Sequence, residues 1–482
     1  MASSTTTSPK EIVIIGGGII GCTTAYYLTR HPSYSRETHR ITLLEAASTS
    51  KGGRTEGSIQ DPATLADPAT ASRRNPAHDG IAGGASGKAG GLLALWAFPQ
   101  SIVPLSFRLH DELAREHGGA ERWGYRRCWA SQVDCKARLP GGQEQQQQQQ
   151  SDDEVADDKQ KKNKKDEGLH RDHKKDPAAL RRLGAPDDLD WVDASRSLNA
   201  YENIGTPENT AQVHPELFTR SMAQLAEDAG VRIVTGARVT RINTVEDADA
   251  AVESVTYEKK AGGAAAQQEE EGEEVTQKAT EVIVTAGPWT RKLLPQIPVT
   301  ASRAHSVVIK PPRPVSAYAL FTAIKLPAGF RAPADKLKTN TSTKATTTTL
   351  KAPQVVEPEI YARPDGTAYA CGPTDDLAPL PLTTEGVEVD EARCDDIIAQ
   401  VGGISDELGR DAEVLAKQAC YLPQGGPYIG QVGKTKGLIV AAGHTCWGIQ
   451  NAPGTGKLVS EIVFDGKPVS AKLGGCDPRN VV

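Results

Sequence analysis

Three glycines and one acid carry the first chemistry legible in the chain. Gly16, Gly18 and Gly21 fit G-x-G-x-x-G, in which the first glycine makes a tight turn, the second admits a pyrophosphate close to the backbone and the third lets a helix pack on a strand. Ile19 and Ile20 follow at the start of that helix, where free amides and a partial positive charge face an anion. Glu45 closes the apolar run 40–44 and stands where a carboxylate accepts hydrogen bonds from an adenosine ribose. The pattern predicts a dinucleotide site.

Other residue types suit a reacting centre. Arg363, before the turn Pro364-Asp365-Gly366, has the planar fork that holds a carboxylate bidentately; the competing assignment is an arginine in a surface ion pair. His444 lies in a glycine loop, where an imidazole either bonds a ligand ring and shuttles a proton near neutral pH or satisfies a turn. Trp447, three residues on, can wall a pocket. His305 is a weaker candidate of the same kind as His444.

The elements that must position these residues follow from periodicity. An apolar run at 11–15 reads as a strand, and 22–28 continues into a helix. Residues 46–79 read as an exposed loop. The small-residue stretch 83–94, with Ser86, Lys88, Ala89, Gly90 and Gly91, permits close backbone approach to a planar ligand and supplies amide donors. Leu105, Leu109 and Leu113 predict one helix face over 105–116, and 123–133 reads as a strand. Pro215 suits the first position of a helix that Gly230 ends, and two short strands follow over 231–242. Runs at 252–257, 281–284, 306–309 and 360–363 read as strands, the last turning back through 367–371. At 437–442 a short strand precedes the glycine loop 443–457, with Gly443, Gly448, Ile449, Gly454 and Gly456, and a helix over 458–463.

The whole composition narrows the function class. A net charge of −6 with mixed signs gives no general attraction to nucleic acid or anionic membrane, so a small-molecule substrate is expected. No stretch approaches the roughly 18 apolar residues of a membrane span. Eight cysteines without a C-x-x-C indicate neither a metal site nor a disulfide framework, and make a reducing cytoplasmic location the default. The first ten residues resemble neither a signal peptide nor a mitochondrial presequence, and the last three are not a peroxisomal address.

In this order the segments 10–47, 83–98, 203–310, 358–373 and 418–465 resemble the FAD-dependent oxidoreductases of the D-amino-acid oxidase type, which include glycine and sarcosine oxidases. The resemblance implies FAD as cofactor, with Gly16, Gly18 and Gly21 at its pyrophosphate and Glu45 at its ribose. It puts Ser86, Lys88, Ala89, Gly90 and Gly91 near the flavin, Val239 at the adenine end, Ala286 and Gly287 where a strand end passes the cofactor, and the 443–456 loop along the pyrimidine side of the ring. Cys420 falls near the position where monomeric sarcosine oxidases tie flavin covalently, but Gln424-Gly425-Gly426 departs from the family wording there, so non-covalent FAD is the expectation. The wording at 303–306, 419–423 and 443–448 is most similar to a fungal branch of oxidoreductases with no assigned substrate, one member of which is associated with late endosomes. That implies a cytoplasmic protein with peripheral endosomal association. The oligomeric state stays open.

The expected fold class is α/β: a Rossmann-like FAD-binding domain assembled from the discontinuous segments 10–98, 203–300 and 424–468, plus a sheet-rich α+β substrate domain from 99–140, 184–202 and 301–423. Three low-complexity inserts, 141–183, 258–278 and 335–352, are expected to be disordered because they cannot bury enough apolar surface to offset ordering entropy. The expected activity is oxidation of a carbon–nitrogen bond of a small amine or amino acid by hydride transfer to flavin N5. The rivals are a catalytically weak flavoprotein scaffold in endosomal traffic and an NAD-dependent dehydrogenase using the same first turn.

Overall fold

The computed structural model describes residues 9–49, 51–55, 78–139, 176–245, 250–260, 272–333 and 349–481. Its first strand, Lys10–Ile15, buries four successive apolar residues, as a strand covered on both faces must. It lies inside a six-stranded sheet in the order Tyr428–Gln431, Leu438–Ala442, Glu281–Val284, Lys10–Ile15, His39–Glu45, Arg232–Thr235. All neighbours are parallel except Tyr428–Gln431, which pairs antiparallel at one edge. Segments more than 400 residues apart in the chain thus share one sheet.

One face of this sheet is covered by the helices Ile19–Arg30, Val103–His117, Pro215–Asp228 and Gly448–Asp465, which share a core of Ile12, Ile14, Leu28, Leu43, Phe218 and Leu458 among others. The helix Val103–His117 buries the predicted Leu105, Leu109 and Leu113 and stops at Gly118, whose φ of 65° suits a left-handed cap. Pro215 occupies the first turn of the third helix, and the His214 side chain caps it by accepting from the Leu217 amide. The other face packs Val13, Leu44, Val284 and Val440 against a three-stranded antiparallel sheet of Ala237–Val245, Ala251–Lys259 and Glu273–Lys278.

A second large sheet runs in the order Glu413–Gln424, Thr300–Lys310, Ala368–Cys371, Glu359–Ala362, Tyr318–Leu326, Trp129–Lys136, Leu198–Gly205, with Gln354–Val356 beside Tyr318–Leu326. It packs Val307, Leu320 and Ile360 against the helix Glu391–Gly402 and its neighbours. Cross-strand partners project to one face, so the register lines up Gln418, Ser306, Cys371, Glu359, Phe321 and Gln132 in a single row.

Several expectations need correction. The C-terminal helix starts at Gly448 and runs through Gly454 and Gly456 to Asp465, where a glycine loop to residue 457 was expected. Packing overrides the low helix propensity of glycine: a Cβ at Gly456 would lie 2.7 Å from the Thr23 backbone, and one at Gly454 3.0 Å from Ile102 and Ser106. Trp123 ends a short helix, Gly119–Trp123, before the strands begin. Of the first insert, 141–175 lies outside the described residues, but Pro177–Arg182 is a helix whose N-cap Asp176 accepts from the Ala179 amide and whose Leu180 is buried. Of the second, 261–271 lies outside, whereas Glu273–Lys278 pairs in register with Ala251–Lys259. Of the third, 335–348 lies outside, and Thr349 bridges to Arg331. Most of the 46–79 loop, residues 56–77, also lies outside.

Candidate active site

A long cavity of about 320 Å³ runs along the carboxyl ends of the parallel strands, where open α/β sheets bind ligands. Gly16, Gly18, Ile19, Ile20 and Glu45 line it on one side. Gly16 has φ of 114°, and a Cβ there would sit 2.6 Å from the Thr285 carbonyl oxygen, so the turn admits only glycine. A Cβ at Gly21 would come within 2.0 Å of the Gly16 oxygen; Gly21 lies off the wall and acts by letting the helix approach the strand. Gly18 caps the helix without a side-chain bond, and the first helical residues, Ile19 and Ile20, line the cavity.

The Ile19 amide donates to the Ser86 hydroxyl at 2.9 Å, tying the small-residue loop to this turn. Ser86 and Ala89 lie on the wall. The Glu45 carboxylate accepts from the Gly17 and Ala47 amides at 2.6 and 2.8 Å. Burial raises its pKa, and the two amides oppose that shift. Val239 borders the same end with Arg238 and Thr240, and Ala286 and Gly287 form the strand end opposite.

The far end of the cavity is made by Gly443, His444, Thr445, Cys446, Gly448 and Ile449. Gly443 has φ of 86° and Thr445, a β-branched residue, φ of 53°. That strained turn delivers the chain into an 18-residue helix whose first residues, Gly448 and Ile449, face the cavity. Amides and the positive end of the helix dipole therefore meet there, suited to negative charge on a ligand ring. His444 is buried and its Nε2 is 3.0 Å from the Thr455 hydroxyl. Burial pushes its pKa down to about 3, which favours the neutral imidazole.

Other expected residues lie off the cavity wall. Gly90 faces Tyr361: a Cβ there would fall 1.7 Å from the aromatic ring, so the close approach this glycine permits is to a side chain of the second sheet. Gly91, with φ of 90°, faces the Val213 carbonyl. Lys88 is buried and donates to the Gly83 carbonyl, its pKa lowered to about 8 chiefly by burial. Arg363 donates to the Ala89 carbonyl and lies 4.9 Å from the centroid of the Tyr369 ring, a brace for the small-residue loop in place of a ligand anchor. Trp447 turns away from the wall to meet Trp96 and Phe98 edge-on at 5.6 and 5.9 Å. Gly454 and Gly456 serve helix packing, as above. Cys420 is buried beside Lys88 with its thiol pushed up to about 11 by burial, a protonated group off the wall. His305 is also buried, its Nε2 accepting from the Asp390 amide at 3.0 Å.

Sequence reasoning did not single out Thr285, Trp289, Lys292, Thr384, Tyr421 or Leu422, all on the wall. Tyr421 and Leu422 come from the strand Glu413–Gln424 of the second sheet, Thr285 follows the strand Glu281–Val284, and Trp289, Lys292 and Thr384 lie in short helical turns without a motif. The residues present fit FAD on this chain's own geometry. Two helix starts, at Ile19 and at Gly448, meet one slot at separate points, glycines line it, and a carboxylate borders one end.

The family model described as FAD dependent oxidoreductase, DAO, matches residues 11–60 and 77–462. This chain belongs to that family. Its cofactor is FAD, and it is an FAD-dependent oxidoreductase. The chain is 32% identical to the protein named "Putative oxidoreductase TDA3" of Saccharomyces cerevisiae, over 98% of this chain and 94% of that one. It is 30% identical to "Putative oxidoreductase C1F5.03c" of Schizosaccharomyces pombe, over 98% of each. Among solved structures, glycine oxidase from Geobacillus kaustophilus shares the fold with a TM-score of 0.58 and 17% identity, covering 98% of both chains. The mixed α/β architecture of a Rossmann-like FAD domain and a substrate domain is that of this family.

Proposed function

We propose that this oxidoreductase oxidises a carbon–nitrogen bond of a small amine or amino acid. The observation that carries the reading is the continuous cavity from the Gly16–Gly21 turn to the Gly443–Ile449 turn, with the second sheet standing over its far end. Bound there, FAD would supply the two-electron acceptor that oxidation of a carbon–nitrogen bond needs. The protein's part is to hold and orient. The helix start at Ile19 and Ile20 would face the pyrophosphate, Glu45 the ribose, and the helix starting at Gly448 the electron-rich side of the ring. Neutral His444, bonded to Thr455, keeps the turn rigid without adding charge.

The domain division follows the same reading, with 10–98, 203–300 and 424–468 building the cofactor domain and 99–140, 184–202 and 301–423 the substrate domain, except that the helix Val103–His117 packs in the core of the cofactor sheet and goes with that domain. A nicotinamide enzyme is disfavoured because the cavity engages a second helix start at Gly448. Resemblance to the fungal branch supports a cytoplasmic protein with peripheral late-endosomal association; among the described residues no helix is long and apolar enough to cross a membrane.

The test is anaerobic. Purified protein should show flavin absorption bands, and the bands should bleach with at least one compound from a panel of D- and L-amino acids, sarcosine and simple amines. Flavin bands that no compound bleaches would remove amine oxidation, and nicotinamide absorbance without flavin would remove the cofactor assignment.

A further inference from the structure

The row of side chains across the second sheet sets the carboxylate of Glu359 between Phe321 and Cys371. Tyr361, two residues along the same strand and on the same face, donates its hydroxyl to the Glu359 carboxylate. The Cys371 thiol is 4.0 Å away. Among the described residues no lysine, arginine or histidine forms an ion pair with Glu359, and burial raises its pKa. Its charge also acts on the thiol of Cys446, which lies on the cavity wall at the end where the ring of the cofactor belongs.

A chain of aromatic rings leads away from this carboxylate. Phe321 meets Tyr361 edge-on at 6.2 Å between centroids, Trp96 meets Phe321 at 6.1 Å, and Trp447 meets Trp96 at 5.6 Å. Trp447, Trp96 and Phe321 pack on the Tyr361 and Tyr369 cluster as partly buried residues. The indole nitrogens of Trp96 and Trp447 have no hydrogen-bond partner. Ring faces attract cations, and an unpaired carboxylate among them attracts a cation more strongly still.

The nearby cations do not compensate Glu359. Lys88 and Arg363 are spent on the carbonyls of Gly83 and Ala89, and Arg54 pairs with Glu216 at 3.2 Å. The cations on the cavity wall, Arg238 and Lys292, lie close enough to each other to interact, beside Glu258 and the Pro381 carbonyl. At the Glu359 end the described wall holds no lysine or arginine to pair with a substrate carboxylate.

We infer that the substrate subsite selects a cationic amine lacking a carboxylate beside its nitrogen, with Glu359 holding the ammonium and Phe321 and Tyr361 flanking its alkyl substituents. This rests on the amine-oxidation reading for the reaction, but the binding preference is measurable without turnover.

The flavin-loaded protein is titrated with benzyltrimethylammonium and, separately, with benzoate, following the flavin bands and tryptophan fluorescence. The expected result is saturable binding of the ammonium at least about tenfold tighter than benzoate, lowered about tenfold in Glu359→Gln and to a smaller degree in Phe321→Leu, at unchanged flavin content and circular dichroism. If Glu359→Gln fails to fold, Phe321→Leu alone decides. Benzoate binding as tightly as the ammonium, no saturable ammonium binding, or unchanged ammonium affinity in the folded variant overturns the inference. The two readings fail separately. Ammonium binding without bleaching by any amine removes the oxidation and leaves the cation site, whereas bleaching by amino acids that is indifferent to Glu359→Gln removes the cation site and leaves the oxidation.

Discussion

The Nε2 of His110 lies 2.9 Å from the carbonyl oxygen of Ile449 and supplies the hydrogen bond that Pro453, four residues further along the helix, has no N–H to donate. Its pKa, lowered to about 4 by burial, keeps His110 neutral, and the acceptor opposite requires the proton on Nε2. Ile449 lines the cofactor cavity, so this one bond from the helix Val103–His117 steadies the helix start that faces the ring.

Removing that donor should be costly. His110→Phe leaves a buried carbonyl unpaired and should lose about 1–3 kcal/mol in urea unfolding, with weaker flavin retention. His110→Gln, which can still donate, should recover part of both. Equal stability of the Phe variant would show that the Ile449 carbonyl finds another donor.

Acid should destabilise the fold well above the carboxylate range. His110 and His305, at about 4, and His444, at about 3, all sit below the ordinary histidine value of 6.5, chiefly because burial disfavours the charged ring. As pH falls below 6.5 the unfolded chain takes up protons that the folded chain refuses, so stability is full above 6.5 and drains away down to about 3–4. Each histidine contributes a slope of about 1.4 kcal/mol per pH unit in that window. Glu216, held down to about 2 by Arg54 and Arg220 against the opposing effect of its burial, acts separately, its stabilisation fading only as pH falls below 4.5. Urea midpoints from pH 7 to pH 4 should show this slope, and His305→Gln should flatten it.

Gly18→Asp should abolish flavin retention while the protein stays folded. A Cβ at Gly18 meets only the Ser86 hydroxyl, at 3.2 Å, so the backbone tolerates it, yet the new charge faces the pyrophosphate position. Visible absorbance per protein and circular dichroism read the two effects. Normal flavin content would overturn the placement of the pyrophosphate.

Arg363→Lys should act on stability alone. The lysine loses the stacked contact with Tyr369 and weakens the bond to the Ala89 carbonyl, for a cost of about 1–2 kcal/mol. The amine concentration dependence of flavin reduction should not move. A raised KM at unchanged stability would restore the anchoring role that its residue type first suggests.

The sequence by itself determined the opening strand, turn and helix, because what Gly16, Gly18, Gly21 and Glu45 do depends on backbone geometry within a few residues and on the next strand. It also determined the hairpin at 364–366 and the helix 103–117, whose apolar spacing is local. Only the tertiary structure decided what Gly90, Gly454 and Arg363 touch, since their partners Tyr361, Ser106 and Ala89 lie far along the chain. The same holds for Glu359. Nothing in its neighbours' spelling marks it; it gains meaning because the register of an eight-stranded sheet sets it beside Phe321 and Tyr361, and chain packing brings that face to Cys446. Short-range backbone chemistry is written in consecutive residues, whereas the electrostatics of a pocket depend on which distant side chains share a low-dielectric space.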